Sequence, residues 1–366
     1  MNHEEKACWL ALLGSSDIDR TVAKHELYRL GVVEQRPLSE LTGLEPHGLV
    51  QAMPGLDLSE AEKWTVALAG MPEAAKELQH WQAQGIDLIT RADLAYPENL
   101  SERLPERWLP YVFFYRGDLE LLSRPAVYVA GAEAPETSAL QLVRALAEAL
   151  APLPLACTGG FTQGVDRQML TDAASFGGGT IVLLPIGFGH ASPILRAGQH
   201  AIDNGTRLEL SPYLPDTAYT PALGRARTRL TTVLADVLLL IAPDISPVDW
   251  PGLDERAPHG GQVLLWASSG NDIAGLWLDQ GALAFAATSE ATHSIVQHLG
   301  LGADDAAPSD SGPEVVTDLY PDSAVHFDDA ASAIARLAKT GRVPEQLMRR
   351  LRDAERQGNL GGDDQP

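Results

Sequence analysis

Between Pro154 and Gly189 the chain reads PLACTGGFTQGVDRQMLTDAASFGGGTIVLLPIGFG, and this stretch constrains the fold more than any other. Leu153 to Cys157 is a short apolar run that stops at Thr158-Gly159-Gly160, bounded like a buried strand and too short for a helix. Asp166 to Phe176 has helical length and composition, and Gly177-Gly178-Gly179 ends it. Thr180 to Leu184 is β-branched and continuously apolar, the pattern of a parallel strand buried on both faces. Strand, helix and strand in this order make a βαβ unit. Its loops after the strand C-termini, Thr158 to Gly164 and Pro185 to Gly189, fall where open α/β sheets bind ligands. Glycines there permit close backbone approach, and N–H groups at the next helix start favour anions. The stretch reads as a phosphate site without specifying which phosphate.

The same alternation extends well beyond this unit. Val127 to Ala130 is a strand, Thr137 to Ala149 an amphipathic helix, Ala191 to Asn204 a helix, and Arg207 to Leu210 a strand. Leu223 to Leu234 is a helix carrying Arg225, Arg227 and Arg229, followed by the buried strand Asp236 to Ala242. Pro243 to Gly261 has no period and reads as loop. Gln262 to Ala267, Asp272 to Asp279 and Ala282 to Ala286 read as strand, helix and strand. The expected fold class is α/β: a doubly wound, Rossmann-like sheet over 119–300. Residues 1–85 read as a domain of short helices and 86–118 as lead-in strands. Residues 301–316 read as a linker, and 317–366 as a short C-terminal helical appendage.

The formal net charge is −22, which argues against a general nucleic-acid binder with a basic footprint. Its distribution says more than its sum. No lysine lies between Lys76 and Lys339, so the positive charge of the central region is all arginine. An acidic surface with one arginine patch can focus a phosphate ligand while repelling other polyanions. No apolar run reaches the ~18 residues needed to span a bilayer, so no membrane association is expected. The start MNHEEKACWLALLG is acidic where a secretory signal would be basic. With two cysteines, Cys8 and Cys157, there is no disulfide framework, and the cytoplasm is the expected location. Cys157 reads as a small residue ending a buried strand in preference to a reactive thiol.

The succession of motifs resembles the DprA/Smf family of DNA-processing proteins over roughly residues 5–300. It begins with GIDLIT, YPENL and FFYRGDLELL ahead of the first strand of the sheet. TGGFTQGVD is similar to the family's Ser-Gly-x-Ala-x-Gly-Ile-Asp loop, and GGGTIVLLPIGFG to its Gly-Gly-Thr strand and following glycine pair. Arg227-Thr228-Arg229 with LTTVLADVLLLIA resembles the Arg-Asn-Arg helix and its strand, and SGNDIAGLWLDQGALAFAATSEA the closing segment. The resemblance implies an N-terminal domain of SAM or helix-hairpin-helix type and an extended Rossmann-like domain that binds single-stranded DNA. It also implies a homodimer that loads a RecA-type recombinase during natural transformation, with no catalysis and no cofactor. Departures are visible. The family's Gly-Ser-Arg turn is Gly131-Ala132-Glu133, which places an anion where a cation would face phosphate. The histidine that follows the central aspartate is Met169 here, and the Tyr-Pro-x-x-Asn step has become Ser192-Pro193-Ile194-Leu195-Arg196. The Gly-Ile-Gly hairpin reads Gly14-Ser15-Ser16-Asp17-Ile18-Asp19.

The candidate DNA- and phosphate-binding residues are Gly131, Thr158, Gly159, Gly160, Gln163, Gly164, Asp166, Gly187, Phe188, Arg196, Arg225, Arg227 and Arg229. The glycines read as a phosphate cradle or as plain tight-turn residues. Asp166 reads as a nucleoside acceptor or a helix cap, and Phe188 as a base-stacking ring or a core plug. Of the three α-helical arginines, one subset can reach phosphate while another pairs with acids such as Asp236 or Glu209. His190, His200 and His259 have no metal-ligand spacing, so no metal is expected. A hydrolytic carboxylate pair would have to come from Glu209 and Asp236. A nucleotide-binding or nucleotide-hydrolysing enzyme on the same scaffold is the alternative function, although Gly177-Gly178-Gly179-Thr180 lacks the nearby glutamate of such enzymes.

Overall fold

The structure is a computed structural model that describes residues 1–266 and 272–301. The expected linker and C-terminal appendage lie outside the described residues.

The N-terminal layer is built from α1 (His3–Gly14), α2 (Arg20–Leu27), α3 (Pro46–Ala52), α4 (Leu58–Ala69) and α5 (Met71–Gln82). Trp9, Leu27, Leu38, Leu49 and Trp64 close its own core. The cap of α2 is Asp19, whose carboxylate accepts from the Thr21 and Val22 N–H groups. The chain continues through a wider π-type turn, Tyr28–Val33, with Gly31 packed against the Trp9 ring.

Next come β1 (Asp87–Thr90), α6 (Glu98–Arg103), β2 (Val112–Gly117), β3 (Ala126–Gly131), α7 (Thr137–Leu150), β4 (Ala156–Gly159), α8 (Val165–Ser175) and β5 (Gly179–Leu183). They are followed by α9 (Ser192–Asp203), β6 (Arg207–Ser211), α10 (Pro221–Leu234) and β7 (Val237–Ile241). The described chain ends with α11 (Leu253–Arg256), β8 (Gln262–Trp266), α12 (Asp272–Asp279), β9 (Leu283–Ala284) and α13 (Thr288–His298). All nine strands form one sheet in the order β1-β2-β6-β5-β4-β3-β7-β8-β9. β1 and β2 are antiparallel additions at one edge, and every pairing from β6 to β9 is parallel.

The strand order runs outward from β3 in both directions, so the fold is doubly wound and Rossmann-like, with its switch point between β3 and β7. Side-chain alternation builds two cores. Val127 and Val129 of β3 and Leu239 and Ile241 of β7 face α7, α8 and α13. Tyr128, Ala130, Leu238 and Leu240 face Trp250 and Trp277 on the other side. β3, β5 and β7 are buried on both faces, which is why their sequences are apolar without alternation.

The span Pro243–Gly261 is not wholly irregular. It contains two 3₁₀ turns and α11, and it is fastened to α10 and the sheet. Trp250 Nε1 donates to Thr232 Oγ1 at 3.0 Å. Arg256, 1 % exposed, donates to the carbonyls of Ala235, Asp236 and Gln262, and its burial lowers its pKa to about 10. The last strand shrinks to two residues, and α13 follows it where no helix was expected.

Candidate functional site

Five loops leave the C-terminal ends of β3, β4, β5, β6 and β7 along one edge of the sheet, and the sequence-nominated residues gather there. The Gly160–Gly164 loop is organised by Asp166 in the first turn of α8. One carboxylate oxygen, Oδ2, accepts from the Gly160 N–H at 3.1 Å, the Thr162 N–H at 2.9 Å and the Thr162 hydroxyl. Asp166 is therefore a loop anchor, close to the capping reading of the sequence, and it is buried. Burial raises its pKa, opposed by the Arg227 charge and by the Thr162 and Gly160 hydrogen bonds.

The glycines serve close approach of protein to protein. A Cβ on Gly159 would overlap Asp166 Oδ1, and one on Gly160 would overlap the Arg227 guanidinium. A Cβ on Gly131 would overlap the Ile241 carbonyl of the neighbouring strand. Gly164, at φ +90° and ψ −138°, crosses the turn after β3, where a Cβ would meet the Ala132 carbonyl and lie 2.7 Å from Glu133 Cα. The N–H groups of Gly187 and Gly189 donate to the carbonyls of Thr217 and Pro215 at 2.8 and 2.9 Å. With Gly160 and Thr162 turned inward to Asp166, these N–H groups are occupied within the protein. The cradle reading is corrected to that extent.

The three arginines of α10 have three different surroundings. Arg225 is exposed and makes no ion pair among the described residues. Arg227 is 5 % exposed and lies beneath Gly160, with Nε and Nη1 lacking any protein partner. Arg229 pairs with Glu255 at 3.0 Å and stacks over Trp108 at 4.2 Å from the ring centre. Neither Asp236 nor Glu209 is their partner. Asp236 is held by Arg103 at 3.0 Å and by Asn99, and Glu209 by Arg116 and Arg207, each at 2.9 Å. Glu209 lies on β6 and Asp236 precedes β7, with β5, β4 and β3 between those strands. The carboxylate pair considered from the sequence does not form.

Phe188 is 2 % exposed in the core with Leu10, Phe114 and Leu184, so the core-plug reading is the one the fold adopts. The aromatic at the loop is Phe161, half-buried and left-handed at φ +57°, with Arg167 5.5 Å and Arg207 5.2 Å from its ring centre. Neither Phe161 nor Arg167 was nominated from the sequence, although both sit inside the TGGFTQGVDR motif. Gln163 is exposed on the loop, Arg196 is exposed on α9, and Thr158 is buried with its hydroxyl unpartnered. Cys157 is buried and its thiol pKa is pushed up to about 12, which leaves it without thiolate character. Among the described residues there is no cluster of three metal-ligating side chains, and no helix is long and apolar enough to cross a membrane.

Two features therefore define the edge. Arg167, Arg196 and Arg225 are exposed in the early turns of α8, α9 and α10 and make no ion pair among the described residues. Beneath them, Thr158 Oγ1, Asp166 Oδ1 and Arg227 Nε and Nη1 are buried polar atoms without protein partners. At the switch point itself, Ala132, Glu136, Ser138, Ala242 and Trp266 help line a cavity of about 160 Å³. Glu133 is exposed there, its N–H 3.4 Å from the Asp244 carboxylate, so the rim is acidic at this point.

The family model for DNA recombination-mediator protein A matches residues 87–245. The fold is similar to that of DNA processing protein A from Streptococcus pneumoniae, with a TM-score of 0.58 and 20 % identity over 80 % of this chain and 98 % of that one. DNA processing protein A from Helicobacter pylori, described for its single-stranded DNA binding mode, aligns with a TM-score of 0.47 and 22 % identity over 58 % of this chain and 96 % of that one. The molybdenum cofactor carrier protein of Chlamydomonas reinhardtii aligns at 0.34 and 20 % identity over 48 % of this chain and 99 % of that one. The last two overlap too loosely to support an argument. No curated protein matches the chain.

Proposed function

Through residues 87–245 the chain belongs to the DNA recombination-mediator protein A family, and on that premise we propose that it binds single-stranded DNA along the C-terminal edge of its sheet. The observation that carries this reading is the set of exposed arginines without carboxylate partners among the described residues, Arg167, Arg196 and Arg225, in the early turns of three consecutive α-helices. Each α-helix also turns its positive N-terminal end toward the same edge. Arg227 adds charge from below the loop without direct access, and the unpartnered Thr158 and Asp166 oxygens supply polar capacity beside it. Gln163, which is exposed, and the half-buried turn of Gly164 are the parts of the loop that a strand would pass. The protein acts without catalysis, as a homodimer that delivers the strand to a RecA-type recombinase. Its two buried, free cysteines suit a reducing compartment. The apolar surface available for dimerisation near the far edge of the sheet includes Leu276 and Leu283. It does not include Trp277, which is 1 % exposed and donates to the Ile245 carbonyl.

The test is a titration with labelled oligo-dT across a salt series, beside one with mononucleotides. Each phosphate neutralised on a single strand adds about 0.7 to the log–log salt slope, so three arginines give a slope of about 2. Arg225→Ala should lower it by somewhat less than one unit. Glu133→Arg should tighten binding about three- to tenfold and steepen the slope by about 0.7, because it places a cation where an exposed anion now opposes phosphate. Affinity that ignores both substitutions would remove the site from this edge. Thermal stabilisation by a mononucleotide with no response to oligo-dT would favour the nucleotide enzyme instead.

A further inference from the structure

A second cleft opens away from the Gly loop. It lies between the N-terminal helical layer and the sheet, has a volume of about 500 Å³, and is lined from α1, α2, residues 108–114, residues 212–217 and α10. That volume is within the range of small-molecule sites. Carboxylates outnumber lysines and arginines in this chain by 49 to 27, yet the lining holds two cations, Lys24 and Arg229, and no carboxylate. Its walls also present aromatic faces already engaged by cations. Trp108 has Arg229 at 4.2 Å and Arg107 at 5.7 Å from its ring centre, and Tyr111 has Lys24 at 5.3 Å. Trp108 remains 43 % exposed. Lys24 also donates to the Leu109 carbonyl at 3.2 Å, and Arg229 keeps its pair with Glu255, so both cations are held in place.

The cleft adjoins the proposed DNA edge. Tyr213 lines it on the loop after β6, and the Arg227 charge acts on that same phenol. α10 contributes Arg229 to the cleft and Arg227 to the underside of the Gly loop. Aromatic faces with flanking cations, in a lining that itself holds no carboxylate although Glu255 pairs with Arg229, form the chemistry that holds unstacked nucleobases without sequence preference.

We propose that this cleft is a second subsite that receives a nucleobase of the same single strand, stacked on Trp108, with its phosphate toward Lys24 and Arg229. The inference rests on the single-strand reading of the Gly-loop edge. The experiment uses the full chain, labelled dT20, and the variants Trp108→Ala, Trp108→Phe and Ala226→Trp, the last placing bulk on the α10 wall of the cleft. Trp108→Ala and Ala226→Trp should each weaken dT20 binding about 5- to 100-fold, the loss of one stacked base. Trp108→Phe, which keeps an aromatic face, should stay within about threefold of the parent. If dT20 binds the parent protein and neither Trp108→Ala nor Ala226→Trp changes its affinity, the second subsite is wrong and the Gly-loop reading stands. If dT20 does not bind the parent protein, the Gly-loop reading fails first and takes the subsite with it. If dTMP alone binds as tightly as dT20 and is lost with Trp108→Ala, the cleft is a mononucleotide site and not part of a strand path.

Discussion

Gly164→Ala is expected to lower stability by about 4 kcal/mol or more, with loss of oligo-dT binding under the same conditions. Two costs add at this position. The backbone sits at φ +90° and ψ −138°, a region that residues with a Cβ hardly enter, which costs about 1–3 kcal/mol. The added methyl would also overlap the Ala132 carbonyl and stand 2.7 Å from Glu133 Cα, both backbone atoms that cannot swing aside as a side-chain end can. Relief requires the Gly loop and the turn after β3 to separate. Val165, whose N–H donates to the Ala132 carbonyl at 3.1 Å, would then lose that bond. Gly177→Ala is the control. Gly177 also has positive φ, +80°, but nothing lies within 4 Å of its Cβ position, so only the conformational cost of about 1 kcal/mol applies. Urea unfolding midpoints of the two variants decide the matter. Equal losses would mean that the crossing of the two loops is not a tight contact.

That crossing also shows where sequence reasoning reached and where it stopped. The buried strands were legible because a strand covered on both faces must be apolar throughout, as Thr180 to Leu184 and Asp236 to Ala242 are. The helices between them were legible from their glycine stops. α13 was missed because TSEATHSIVQH buries only Ala291 and Ile295, too narrow a stripe to announce itself, while Glu290 fixes its start by accepting the Ala286 N–H. The Gly loops were found, but their partners were not. Whether Gly160 faces a ligand or Arg227 depends on where α10 lies across the sheet, which is tertiary information. Arg225, Arg227 and Arg229 differ by only two residues each in sequence, yet one is exposed, one is buried under the loop and one is paired with Glu255. Phe188 is buried in the core and Phe161 only half-buried against it for a similar reason. Each follows a glycine on the same edge, and packing of α1 and α5 over β5 decides which ring enters the core.

The second large effect concerns Asp166, where the choice of substitution separates structure from charge. Asp166→Ala removes the acceptor of three donors, Gly160 N–H, Thr162 N–H and the Thr162 hydroxyl, in a buried loop. A loss of about 3 kcal/mol is expected, since each buried donor left unpaired costs about 1–3 kcal/mol and part of the loop can turn to water. Asp166→Asn keeps one acceptor oxygen for those donors and should hold the fold, but it changes the pH response. The Asp166 pKa is raised in the folded protein, chiefly by burial and despite Arg227. The folded state therefore binds more protons than the unfolded state between the ordinary aspartate value of 3.8 and the raised one. Stability contributed by this group falls as pH rises through that window and is greatest below it. The parent protein, compared with Asp166→Asn, should accordingly gain relative stability on acidification through the window. Urea midpoints of both proteins from pH 4 to pH 8, about the range in which the fold can be expected to persist, measure the difference. A difference that stays flat, or that grows in the parent's favour as pH rises, would show that Arg227 and the loop hydrogen bonds outweigh burial and that Asp166 is held as a well-stabilised carboxylate.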